Sequence, residues 1–195
     1  MNLFSTSRFR QRFANRHVIL PVIHVDSLEQ AMRNTEVARN AGADGAFLIN
    51  HHMGDDELLS IHAEVAALHP DWWLGVNCLG FSAERVSATV SNSVSGIWTD
   101  DAYIDERKAA QPAAEEVLAK QKSRGWRGLY FGGVAFKYQR SVYDLETACR
   151  TAAQYMDVVT TSGPGTGRAA DVEKIRVMKQ ALGTQPLAIA RETLI

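Results

Sequence analysis

The sequence predicts an α/β fold, a TIM (β/α)8-type barrel in which seven strands are readable and the eighth βα unit is missing. Three observations lead there. Short apolar strands alternate with longer amphipathic segments along the chain, the order of repeated βαβ units around a parallel sheet. The runs Val18–Val25 and Met156–Thr161 are almost continuously apolar, as strands covered on both faces are. No linker, low-complexity stretch or composition break divides the chain, and 195 residues suit one domain. A doubly wound open sheet is the alternative, because local pattern does not distinguish a closed sheet from an open one.

In chain order, residues 1–17 read as an N-terminal arm and 18–195 as a single, incomplete barrel domain. The arm carries Arg8, Arg10, Arg12 and Arg16, a basic cluster that reads as a solvated charge run or as a contact for an anionic partner. It lacks the apolar centre of a signal peptide. The first strand covers 18–25. Ser27 and Gln30 have capping-box spacing for a helix over 27–41, and Gly42 suits its stop. A strand over 45–50 leads to a helix over 55–69, followed by Pro70. Strands over 72–78 and 96–99 flank a helix over 82–92. The next helix, 105–124, stops at Gly125 before a strand over 127–132. A helix over 143–154, a strand over 156–161, a helix over 170–182 with Gly183 at its end, and a strand over 186–190 complete the pattern. A TIM barrel closes with eight strands. Seven leave two unpaired edges, which favour association. The expectations are a missing eighth unit, pairing supplied by another chain in a homo-oligomer, or an open fold.

A net charge of −1 gives no basic field for nucleic acid, and the aromatics are not interleaved with basic residues. No apolar run reaches the roughly 18 residues that span a bilayer. Cys78 and Cys149 form neither a disulfide framework nor a zinc pattern, so a reducing cytoplasm is the expected compartment. Cys149 reads as a small buried hydrophobe, and Cys78 as a strand-end residue with nothing nearby to activate it.

In either fold, ligands bind at the C-terminal ends of the strands. That rule selects His24 and Asp26 after the first strand, then Asn50, His51 and His52, then Asn77 and Cys78. It continues with Thr99, Asp100 and Asp101, with Gly132, Gly133 and Lys137, and with Thr161 and Ser162. Arg191 and Glu192 end the series. His24 or His51 can serve as general acid or base, since histidine titrates near neutrality. Asp100 can orient that histidine or act as a base. Lys137 can neutralise a phosphate, polarise a carbonyl or form a Schiff base. Asn50 and His51 are placed to bind substrate. The run Thr161-Ser162-Gly163-Pro164-Gly165-Thr166-Gly167 takes a strand into a glycine-rich turn ahead of a helix, an arrangement that suits an anion. Ser162, Gly163, Gly165, Thr166 and Gly167 are therefore expected to bind phosphate. No Gly-Lys-Ser/Thr follows, so the turn is not a Walker loop. His24, His51, His52, Asp100 and Asp101 can be read as nitrogen and oxygen ligands. Without His-x-His or His-Glu-x-x-His, no metal and no redox cofactor is expected.

Four segments taken together resemble the BtpA/SgcQ family. They are Pro21-Val22-Ile23-His24-Val25, Gly42-Ala43-Asp44-Gly45-Ala46, Gly75-Val76-Asn77-Cys78-Leu79, and Asp157 to Gly167 with Asp171 and Lys174. The resemblance runs in order over about residues 18–190. It implies a barrel similar to the ribulose-phosphate-binding barrels, and it matches Asn77, Lys137, Thr166 and Gly167 to family positions. After Asn77 the family's polar stretch is replaced by Gly80-Phe81-Ser82. After Ala190 its Ser-Gly is replaced by Arg191-Glu192. The function expected is binding of a small phosphorylated sugar or nucleotide-like metabolite, with isomerase, lyase or transferase chemistry. The alternatives are a non-catalytic assembly factor for a membrane or photosynthetic complex, and an inactive truncated barrel.

Overall fold

The computed structural model describes residues 7–15 and 17–191; Arg16, Glu192 and the residues after it lie outside this set. Seven strands form one parallel sheet in sequence order: β1 (Val22–Val25), β2 (Gly45–Asn50), β3 (Trp73–Asn77), β4 (Gly96–Thr99), β5 (Leu129–Gly133), β6 (Val158–Ser162) and β7 (Leu187–Ala190). After the short leading helix α1 (Arg8–Arg12), the connections are α2 (Leu28–Asn40), α3 (Asp55–Leu68), α4 (Ala83–Thr89), α5 (Pro112–Ser123), α6 (Leu145–Ala152) and α7 (Val172–Leu182).

The sheet curls into an open, partial barrel. Phe47 on β2 and Phe131 on β5 have ring centroids 5.1 Å apart. In a flat sheet, strands three places apart stand about 14 Å from each other. The contact therefore requires strong curvature. Among the described residues, β1 and β7 have no strand on their outer edges.

Alternation along the strands separates two cores. Ile23, Leu48, Val76, Ile97, Tyr130 and Val159 face the helices. Phe47, Trp73, Trp98, Phe131 and Val158 face the barrel axis, where they form a largely aromatic floor. Small residues make room for it: a Cβ on Gly75 or Gly96 would fall within 2.6 Å or 2.3 Å of the Phe47 or Trp73 rings.

Element boundaries are tighter than the sequence pattern suggests. Pro21 precedes β1, which starts at Val22 rather than residue 18. Helix α5 begins at Pro112, not residue 105, because Asp105 and Gln111 tie the preceding residues into a loop: Gln111 Nε2 donates to the carbonyls of Asp105 and Lys108, and Asp105 N–H donates to Gln111 Oε1. The Ser27 cap is present, its Oγ accepting from Gln30 N–H at 3.2 Å.

Residues 7–15 of the leading segment are not a solvated arm. Ser7 caps α1, and Phe9 and Phe13 enter the axial core at the N-terminal end of the barrel. Phe13 packs 5.7 Å from Trp73 and Phe9 packs 6.4 Å from Phe131. Arg8 pairs with Asp157 at 3.1 Å and donates to the carbonyls of Arg127 and Gly128. A basic pattern alone hid two aromatic anchors at i and i+4.

Candidate functional site

Above the aromatic floor, at the C-terminal ends of the strands, inward positions become polar. His24 of β1 and His51 after β2 stack with ring centroids 4.7 Å apart and an interplanar angle of 6°. Asn77, the last residue of β3, donates from Nδ2 to Asp100 Oδ1 at 3.1 Å. The backbone under Asp100 is held tightly: Gln139 Nε2 donates to its carbonyl at 2.7 Å. A Cβ on Gly133 would stand 1.9 Å from that same oxygen, so only glycine fits there.

Electrostatics link these side chains. Burial raises the Asp100 carboxyl above its ordinary value, opposed by the Asn77 hydrogen bond and by the charges of Lys137 and His51. Burial lowers His24 below its ordinary value, helped by His51 and Lys137 and opposed by Asp26. A carboxyl moving up and an imidazole moving down is the pattern of an acid–base site. His24 thus stacks on His51, Asn77 bonds Asp100, and the charges of His51 and Lys137 act on both His24 and Asp100.

Asn50 does not join them. It lies on the helix-facing side, where its Nδ2 donates to Asp55 Oδ1 and the Met53 carbonyl, both at 2.9 Å, and its Oδ1 accepts from Leu79 N–H. Gly80 N–H completes this latch by donating to Asp55. Cys78 is buried beside the latch, with its thiol pushed up to about 12 by desolvation, which leaves it unreactive.

The glycine-rich turn is built differently from its sequence outline. Arg168 to Asp171 intervene between Gly167 and α7, and Asp171 itself caps the helix by accepting from Lys174 N–H at 2.9 Å. Ser162 Oγ accepts from Lys137 N–H at 2.8 Å and donates to the Gly163 carbonyl at 2.9 Å. Thr166 Oγ1 lies 3.2 Å from Tyr138 Oη. Gly165 is open, with nothing within 4 Å of where its Cβ would be. The turn therefore leaves open space at Gly165, while Ser162 joins the β5 and β6 loops.

Gln139 escaped the sequence reading, and Lys174 entered it only through the family resemblance. Gln139 supports Asp100, and no pattern marks it. Lys174 Nζ donates to the carbonyls of Ala135 and Ser162, and desolvation lowers its pKa. Its spacing behind the glycines was visible, but its support of both loops was not. The backbone beneath is strained: Ala135, Tyr138 and Tyr103 all have positive φ (48°, 65° and 58°). Such outliers gather at functional sites. Among the described residues, no three His, Cys, Asp or Glu side chains are grouped to hold a metal ion.

No family model matches the chain, and no curated protein sequence matches it. Solved structures do. A 2,3-dimethylmalate lyase, a PEP mutase/isocitrate lyase superfamily member, is 15% identical with a TM-score of 0.65, over 93% of this chain and 71% of its own. The 3,6-anhydro-D-galactonate cycloisomerase from Zobellia galactanivorans is 11% identical with a TM-score of 0.55, over 90% of this chain and 46% of its own. An aldolase is 11% identical with a TM-score of 0.55, over 87% and 77%. The chain thus spans about half the length of the cycloisomerase. At these identities the likeness establishes the fold alone: the chain is a TIM-type α/β barrel protein. Among the described residues, no helix is long and apolar enough to cross a membrane.

Proposed function

We propose that the barrel mouth binds a small phosphorylated metabolite and moves a proton on it, in isomerase, lyase or transferase chemistry without a redox cofactor. The observation that carries this is the Asn77–Asp100 pair, with its carboxyl raised by burial, near His24 and Lys137. In this reading Asp100 and His24 are the acid–base groups. Asn77 orients Asp100. Lys137 and the open backbone at Gly165 receive the phosphate, and His51 contacts the substrate. The solved relatives include a lyase, an aldolase and a cycloisomerase, which is consistent with such chemistry on this fold. The BtpA/SgcQ-like assignment is part of the same proposal and rests on the residues that carry the resemblance.

The test is solvent-proton exchange. Sugar phosphates and ribose phosphates are first screened by thermal shift, where a ligand at 100 times its dissociation constant adds about 2.7 kcal/mol to the folded state. Compounds that bind are then incubated with protein in D2O and followed by NMR. Deuterium should enter one carbon position with the native chain. With Asp100→Asn exchange should cease while the thermal shift persists. Binding without exchange, or undiminished exchange in the variant, overturns the catalytic assignment.

A further inference from the structure

One cavity among the described residues is not at the mouth. It is an open cleft of about 350 Å³ at the opposite end of the barrel, at the N-terminal ends of β3, β4 and β5. The strands put the two ends about 15 Å apart. One wall is helix α1, which presents Arg8 and Arg12 on a single face at i and i+4. The other wall comes from the turns entering β4 and β5, with Asn92, Ser95 and Arg127, and Trp73 forms the base.

Among the described residues, three guanidinium groups line this cavity and no carboxylate does. Their commitments differ. Arg8 is neutralised by Asp157 and spends its remaining donors on backbone carbonyls. Arg12 makes one long bond, 3.3 Å, to the Asp71 carbonyl, and its guanidinium lies 5.8 Å from the Phe13 ring. The Arg127 guanidinium, the Asn92 amide and the Ser95 hydroxyl have no partner among the described residues. The cavity is therefore bordered by one cation fixed in an ion pair, two guanidinium groups with donors to spare, the amides of Gln11 and Asn92, and the Ser95 hydroxyl. Guanidinium forks match tetrahedral oxyanions in a bidentate manner.

We propose that this cavity is a second ligand site, for the phosphate group of inorganic phosphate or of a small phosphate monoester. Arg12 and Arg127 grip the oxyanion from opposite walls, with Asn92 and Ser95 completing its hydrogen bonds. Because Arg12 belongs to α1 and Arg127 to the barrel, the anion fastens the leading helix onto the barrel floor. Its occupancy sets how firmly Phe9 and Phe13 are held, and so links ligand concentration to barrel stability. The site stands apart from the mouth and does not rest on the function proposed there.

The test uses the full chain, inorganic phosphate and glycerol phosphate, titrated by calorimetry and thermal shift at constant ionic strength set with chloride. Phosphate should raise the melting temperature. Arg127→Gln and Arg12→Gln, both at exposed positions, should each weaken binding about tenfold, since each removes a charge-assisted contact. The binding event that the arginine variants weaken should persist in Lys137→Met, which removes phosphate binding at the mouth. Binding of glycerol phosphate identifies a metabolite site, and binding of inorganic phosphate alone a free-ion site. The proposal is overturned by no shift beyond the chloride control, by unchanged binding in both arginine variants, or by binding lost only in Lys137→Met.

Discussion

Asp100 shows how one side chain acquires chemistry from its surroundings. As a strand-end Asp it is unremarkable. Under the Asn77 amide, above a glycine that admits no Cβ and beside Lys137, it becomes a carboxyl whose pKa burial holds above the ordinary value. The folded state then binds this proton more tightly than the unfolded chain. The stability it contributes is complete below the unfolded pKa and is lost as pH rises through the folded value. Asp100→Asn removes that penalty. The variant should melt above the native chain at pH 7, and the gap should shrink toward pH 3. A gap independent of pH would contradict the burial argument. His24 acts in the opposite sense: its lowered pKa favours the neutral ring, so its contribution is complete above about 6.5, the ordinary value, and is lost as pH falls through the lower folded value. Asn50 is the complementary lesson. Its position after a strand looked like a binding residue, yet alternation turns it toward the helices, where it latches β2 to β3.

At the level of elements, the connections matter as much as the strands. The loop after β4 is tied to the loop after β5 by Arg140, which pairs with Asp105 at 3.1 Å and with Glu106. The loop after β5 is tied to that after β6 through Ser162, Thr161 and Lys174. The rim over Asp100 and Lys137 is thus a continuous set of cross-braced loops, which lets it hold Ala135 and Tyr138 at positive φ. Gly133→Ala tests the tightest approach. Its Cβ would overlap the Asp100 carbonyl, so the substitution should cost about 1–3 kcal/mol in urea unfolding, the usual range for overpacking. It should also displace Asp100 and reduce the solvent exchange described above. A neutral Gly133→Ala would mean that the strand end relaxes freely.

For the whole molecule, the decisive contact is between the leading segment and the barrel axis. Phe13 is 5% exposed against the Trp73 side of the floor, so Phe13→Ala should destabilise by about 3–5 kcal/mol in urea unfolding. A loss below 1 kcal/mol would show that α1 is an appendage. By contrast Ile189 on β7, facing the helix side, is 46% exposed, because no neighbouring helix covers it among the described residues. The sequence by itself determined the order of the seven strands and of the helices between them, the cap at Ser27, the glycine stops and the burial of Cys149. These depend on hydrophobic period and local hydrogen bonding, which a chain carries within a few residues. Only the tertiary structure decided which strand-end residues meet. Pairing of neighbouring strands brings Asn77 to Asp100 and stacks His24 on His51, and alternation withdraws Asn50. It also decided that a basic leader is an aromatic plug. Phe9 and Phe13 gain their value only from rings on β3 and β5, contacts between residues far apart in the chain that no local pattern contains.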